Sequence, residues 1–173
     1  IIGGSANECG TCGNPVKDDC DTCDDVDWND CETVTFEFGD NANLASFFVL
    51  PEDQSVESVF SDVALDLLAV ANGGSAALFT DGEITNGSLS ELDQESGYWV
   101  IMDNAADLSI EGTPIDPQTS YDISEGANLL GFPQPTGVDF ATGLGQELGL
   151  GNIYAVLGQG VSAYKWNNIW IGS

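Results

Sequence analysis

Histidine and arginine are absent from this 173-residue chain, whose side-chain cations are Lys17 and Lys165 alone. The lack of imidazole removes the commonest general base, the Ser–His and Cys–His couples and imidazole metal sites. The lack of an Arg or Lys clamp argues against phosphoryl transfer. GLGQELGLG from Gly143 has neither the lysine nor the spacing of a phosphate-binding loop. No apolar run approaches the roughly 18 residues of a membrane helix, so membrane insertion is not expected. No basic-then-apolar leader opens the chain and Ile1 is not an initiator methionine, so the sequence reads as a processed or excised piece of something longer.

What the chain has in excess is acid: 29 Asp and Glu against 2 Lys, a formal charge of -27. Such a surface repels a phosphate backbone, which excludes nucleic acid as a partner, and in low salt it destabilises the compact state. At molar ionic strength the screening length falls to roughly 3 Å. A saline, calcium-containing exterior is therefore the expected setting, with an acidic cytosolic protein as the alternative. Apolar residues make up 42% of the chain, enough for a core in one ordinary domain or two small ones.

Residues 1–32 hold all five cysteines and only two aliphatics, Val16 and Val26, beyond the opening Ile1-Ile2. A segment so poor in apolar side chains needs covalent or ionic staples. From Glu32 onward the texture changes to short apolar runs between turn formers such as NGG, TDG and ITNG. The runs are TVTFEF, LASFFVL, LLAVA, SAALF, GYWVIM, ADLSI, YDI, NLLGF, IYAVL, SAYKW and NIWI. Runs this short, rich in β-branched and aromatic residues, read as strands. Two stretches have helical spacing instead, DQSVESVFSDVALDLL and VDFATGLGQELGL. The expected fold is all-β with one short helix per repeat, arranged as tandem sandwich- or barrel-like units. The expected organisation is a Cys/Asp-rich segment (1–32), a β repeat (33–118) and a second β repeat (119–173).

The repeat rests on laying residues 40–88 over 125–173 at a constant offset of 85 without a gap. Ala42, Asn43 and Leu44 then meet Ala127, Asn128 and Leu129, and Phe47, Leu65, Gly73, Ile84, Gly87 and Ser88 meet identical residues. After Ser88 the first copy runs on into Gly97, Tyr98, Trp99, Val100 and Ile101, a run without alternation that suits a strand covered on both faces. The second copy stops after Ile169, Trp170 and Ile171. A sheet lacking one strand exposes unpaired backbone groups and invites strand addition, so these residues are the candidate assembly site. A disordered tail or an excision boundary would give the same ending.

The cysteines, Cys9, Cys12, Cys20, Cys23 and Cys31, fall as C-x2-C-x7-C-x2-C-x7-C. Paired CxxC elements can hold zinc, but the spacer is shorter than the roughly 15–20 residues of zinc ribbons. Disulfides in an oxidising compartment fit the density better, and the odd cysteine is left free, pairs between chains or pairs outside this piece. Among them Asp19, Asp21, Asp24, Asp25, Asp27 and Asp30 alternate along an irregular loop, a pattern that can converge on calcium without matching an EF-hand. A solvated acidic linker is the plainer reading.

The string ECGTCGNP…DDCDTCDDVDWNDC resembles the Asp- and Cys-rich repeats found between domains of large secreted surface proteins of marine bacteria. GANLLGFP (Gly126 to Pro133) and ESGYWVIM (Glu95 to Met102) are similar to a β-rich module of such proteins. The resemblance implies a modular extracellular, structural or adhesive protein. NLASFFVLP departs from the Gly-Phe-Pro turn of that pattern, and the second copy has no GYW.

The expected function is a non-enzymatic subunit or module of an extracellular filament, appendage, matrix or virion exterior. Its expected partner is itself, as a homopolymer or as neighbouring repeats of a longer chain, with calcium as the bound ion. The alternative is a glycan-binding module using Trp99, Trp166 and Trp170. Accidental carboxylate pairs are too abundant to point to a glycosidase.

Overall fold

Strict alternation builds the first ladder of the core. In β3 (Glu32–Phe38) Val34, Phe36 and Phe38 share one face while Thr33, Thr35 and Glu37 are exposed. In β10 (Ala106–Pro114) Leu108, Ile110 and Gly112 are buried between exposed Asp107, Ser109 and Glu111. The two strands run antiparallel with Leu108 opposite Phe36 and Ile110 opposite Val34, and on the outer face Thr35 Oγ1 and Ser109 Oγ lie 3.0 Å apart. Two-residue β5 (Val49–Leu50) joins the far end of β10 and completes a three-stranded sheet.

The computed structural model describes residues 16–17, 23–24, 31–132, 153–167 and 169–172. The chain divides into two compact units, Ile1–Gln134 and Pro135–Ser173. Near the start, β1 (Val16–Lys17) and β2 (Cys23–Asp24) form a small antiparallel ladder. The second sheet of the first unit takes β4 (Asn41–Ser46), β6 (Leu67–Ala71), β7 (Ala76–Thr80), β8 (Glu83–Gly87) and β9 (Gly97–Met102), in the order β4-β9-β6-β7-β8. Every pairing is antiparallel, and the one helix among the described residues is α1 (Val56–Val59). The class is all-β, as expected.

One core lies between the two sheets and under α1. Phe47, fully enclosed, has ring centroids of Phe36, Phe60 and Tyr98 at 5.0, 5.6 and 5.7 Å. Such aromatic contacts add about 0.5–1.5 kcal/mol each beyond simple burial. The run LASFFVL is not one strand. Its buried Phe47 and Phe48 carry the chain from β4 in one sheet to β5 in the other. The stretch DQSVESVFSDVALDLL keeps Val56, Val59, Phe60 and Val63 buried at helical spacing, yet only four residues are α-helical. Ser55 caps the start by accepting from the Ser58 amide at 3.3 Å. After Phe60, i to i+3 bonds from Val63 to Phe60 and from Asp66 to Val63 replace the helical ladder, where Ser58, Ser61 and Asp62 supply little helix propensity.

Three other expectations change. GYWVIM is covered on one face, with Tyr98, Val100 and Met102 inward and Trp99 44% exposed, because the five-stranded sheet turns its other side outward. ITNG is not a turn but part of β8. YDI and NLLGF form no strand; Leu130 makes a single bridge to Ser96. The second helical stretch, residues 138–150, lies outside the described residues.

Candidate assembly surface

The second unit contributes a meander, β11 (Ala155–Gly158), β12 (Val161–Trp166) and β13 (Ile169–Gly172), joined by two tight turns. Its ladder repeats the registers of β6-β7-β8. Ala69, Val70 and Ala71 face Leu78, Ala77 and Ala76, while Ala155, Val156 and Leu157 face Tyr164, Ala163 and Ser162. Each position is thus matched 86 residues on (69 to 155, 70 to 156, 77 to 163). The next turn matches too: Thr80 pairs with Glu83 across Asp81 at φ 53, and Trp166 pairs with Ile169 across Asn167 at φ 50. Left-handed backbone at the first turn residue is what a two-residue hairpin requires, and Asp and Asn tolerate it.

The single difference is one residue. In β8 the register slips between Phe79–Ile84 and Leu78–Asn86, leaving Thr85 as a bulge whose Oγ1 donates to the Leu78 carbonyl at 3.3 Å. β13 has no bulge, so the offset returns to 85 at Gly87 and Gly172. Both glycines are enforced by the same neighbour. A Cβ on Gly87 would lie 2.1 Å from the Ala76 oxygen, and one on Gly172 would lie 2.2 Å from the Ser162 oxygen. Over residues 69–84 the gap-free offset of 85 is therefore one residue out of register, and its Gly73 and Ile84 matches do not hold.

A second correspondence precedes the strands. Asn43 Oδ1 accepts from the Gly39 amide at 3.0 Å, and its Nδ2 donates to the carbonyls of Gly39 and Asn41 at 2.8 and 3.2 Å. Asn128 does the same, 85 residues on, with Ser124 (2.9 and 2.9 Å) and Gly126 (3.3 Å). Asn41 and Gly126 are both at positive φ, 70 and 104.

What differs is the strand beside the meander. In the first unit β9 lies against β6, with Val100 opposite Val70 and Trp99 opposite Ala71. Among the described residues β11 pairs with β12 alone, and no described strand lies along its other edge. The meander is also apolar on its exposed side: Leu157, Tyr164, Trp166, Ile169 and Ile171 are 72, 49, 63, 66 and 43% exposed.

The candidate residues separate accordingly. Gly97, Tyr98 and Val100 are buried in the first unit, with Trp99 and Ile101 on the sheet's outer face. Gly97 starts β9 against a tight neighbour, since a Cβ there would lie 2.8 Å from the Leu130 oxygen. Ile169, Trp170 and Ile171 all lie on β13, where Ile169 pairs with Trp166 and Trp170 with Lys165. Trp166 and Trp170 therefore project to opposite faces and form no common platform; the aromatic that shares a face with Trp166 is Tyr164, two residues back. Sequence reading missed Tyr164, Leu157 and Val161, whose exposure depends on what lies over the strand.

Of the metal candidates, Asp24 lies in β2, and Asp19, Asp21, Asp25, Asp27 and Asp30 lie outside the described residues. Among the described residues no three His, Cys, Asp or Glu gather around a point. Cys31 is disulfide-bonded. Cys23 lies in β2, and Cys9, Cys12 and Cys20 lie outside the described residues.

Shallow hollows open among the described residues of the first unit. One is lined by Leu50, Pro51, Gln94 and Gly112, and Gln94 Nε2 there donates to the carbonyls of Phe48 and Thr113. Another holds Asp93, Glu95, Tyr121 and Asp122. Asp93 is committed to structure, its Oδ1 accepting from the amides of Glu95 and Ser96 and its Oδ2 from the Tyr98 hydroxyl. Burial, then the Glu95 charge, pushes the Tyr121 phenol up. No protein-family model, curated protein or solved structure matches this chain.

Proposed function

We propose that this chain is a non-enzymatic structural module of an extracellular assembly, in which the open edge of β11 is completed by a strand of the β9 type. The observation that carries the proposal is the pair of meanders with one register and two different neighbours. β6 is flanked by β9, while β11 is flanked by β12 alone among the described residues. An added strand would satisfy that edge as β9 satisfies β6, with its own apolar side chains continuing both faces of the sheet. We read residues 124–172 as a second copy of 39–87 on the strength of the matching Asn brackets, turns and enforced glycines. The donor strand is supplied by a neighbouring copy or by neighbouring repeats of a longer chain.

The charge of -27 and the bonded Cys31 support an extracellular, saline setting, with calcium held by the aspartates of the Cys-rich segment. A glycan platform is the less supported reading, because the face that carries Trp166 and Tyr164 is otherwise formed by Leu157, Ile169 and Ile171, with Ser162 as a lone hydroxyl where a sugar needs several converging polar groups.

The test is titration of the chain with a lysine-tagged peptide carrying Ser96 to Met102, followed by hydrogen exchange at the amides of Ala155 to Gly158. Slowed exchange at alternate amides is expected. Unchanged exchange at saturating peptide would remove strand addition at β11.

A further inference from the structure

The outer face of the first unit's five-stranded sheet is apolar over two rows that cross four of its strands, β4, β9, β6 and β7. Leu44, Trp99, Ala71 and Ala76 are cross-strand neighbours in one row, and Ala42, Ile101, Ala69 and Leu78 form the next. Trp99 and Leu78 are each 44% exposed and no charged side chain occupies either row, in a chain whose formal charge is -27. Half of the eight positions are alanine, so the face is low and flat.

The matched face of β11–β13 is built the opposite way. Where β7 and β8 place Thr80 and Glu83 outward, β12 and β13 place Trp166 and Ile169. Where β6 has Ala71, β11 has Leu157. On the side that corresponds to the core, Lys165 stands where the first unit buries Phe79. Relative to β6–β8, the apolar weight of this meander has moved to its outer side.

We propose that these two faces bind each other between copies of the chain, the bulky outer face of β11–β13 from one molecule seating on the alanine-floored face of β4-β9-β6-β7 of the next. Large side chains opposite small ones is the arrangement that packs facing layers without voids. Both faces are free of charge, so docking desolvates no ion. The contact is heterologous, so it propagates head to tail instead of closing on itself. This rests on the reading of the chain as an assembling module but uses faces where that reading uses an edge.

Eight positions at a strand spacing of about 4.8 Å and a row spacing of about 6.8 Å give a footprint of roughly 260 Å². A standard interface buries about 800 Å² per partner, so a single contact is weak and salt that screens the acidic surface strengthens it.

The experiment is sedimentation equilibrium of the full chain, with any free thiol alkylated, over a concentration series in low and in molar NaCl. Wild type is expected to grow past the dimer with concentration in high salt. Leu78→Glu and Trp166→Glu are each expected to be monomeric with unchanged circular dichroism, and Thr33→Glu, an equal charge on a different exposed strand, to behave as wild type. Mixing Leu78→Glu with Trp166→Glu leaves one live face on each molecule, so the mixture is expected to stop at a one-to-one dimer. Loss of association in Trp166→Glu alone would overturn the proposal in favour of a face that binds its own copy. Multimers that survive both substitutions would overturn the face pairing and leave assembly through the edge standing. A wild type that stays monomeric in molar salt would overturn both.

Discussion

Tyr98 offers a test of the first unit's core that needs only a pH series. Its side chain is fully enclosed, and its hydroxyl accepts from the Asp93 amide at 2.8 Å while donating to Asp93 Oδ2 at 3.1 Å. Burial, followed by the charge of Asp93 as the main unfavourable neighbour, pushes the phenol up to about 12. In the unfolded chain it titrates near 10. Below that value both states hold the proton and the group adds no pH dependence. Between about 10 and 12 the unfolded state loses a proton that the native state keeps, so stability falls as pH rises. Two units at about 1.36 kcal/mol each make the loss roughly 3 kcal/mol, complete once the pH passes the folded value. The assay is urea unfolding at constant ionic strength from pH 8 to 12, for wild type and Tyr98→Phe. The variant should be weaker by about 1–2 kcal/mol at pH 8, because the Asp93 amide loses its acceptor. It should also lack Tyr98's share of the alkaline decline, so that the two curves converge and then cross. Parallel curves over the whole range would show that the phenol ionises as easily in the fold as in water, and the enclosed Tyr98–Asp93 unit would be wrong.

Phe47→Ala, which empties the centre of the ring cluster, is expected to cost about 3–5 kcal/mol in denaturant unfolding. Gly112→Ala places a Cβ 2.1 Å from the Leu50 oxygen and should part β10 from β5 at a cost on the order of 2–4 kcal/mol, whereas Gly73→Ala, with open space around it, should change stability by less than about 1 kcal/mol. Chelator added to calcium-loaded protein should lower its melting temperature if the aspartates of the Cys-rich segment hold the ion; a melting curve indifferent to calcium removes calcium from the proposal. Raising NaCl from 0.05 to 1 M should raise the melting temperature of a chain with charge -27, and a flat response would mean that its carboxylates are already neutralised by bound cations.

The strands were legible wherever one face meets a core. TVTFEF and ADLSI alternate because β3 and β10 keep one side in water, and their phase alone assigns Phe36 and Leu108 inward. GYWVIM defeated the same reading. A strand whose outer side is also apolar has no alternation to read, so Trp99 and Ile101 looked buried when they line an open face. The break in LASFFVL was illegible for another reason: Phe47 to Leu50 are all buried, and an unbroken apolar run carries no mark of where the chain leaves one sheet for the next. In the two meanders, identity counting chose an offset of 85 because Gly73, Ile84 and Gly87 agree with it. The ladder pairs put residues 69–84 at 86 and assign the lost residue to Thr85, since a bulge shifts sequence alignment without disturbing the turn or the enforced glycine on either side of it.

That one-residue correction changes what the second meander is for. At an offset of 85, Tyr164 stands in for Phe79 and Trp166 for Asp81, and the meander looks like a sheet turning its aromatics to a core. At 86, Lys165 takes the place of Phe79, and Tyr164 and Trp166 fall at the outward positions of Leu78 and Thr80. A side-chain period of two makes these readings opposites, since a slip of one residue exchanges the faces of every strand. The core-side position that Phe79 fills in the first unit is thus held by half-buried Lys165, cross-strand from Trp170, so the two meanders present different chemistry on that side. Substituting Lys165 by Phe separates the two readings. If the aromatics face inward, the new ring falls on the solvent side, and neither melting temperature nor self-association should move. If they face outward, the ring falls on the inner side in the position of Phe79, the second unit should gain on the order of 1 kcal/mol, and association through Trp166 should be unchanged.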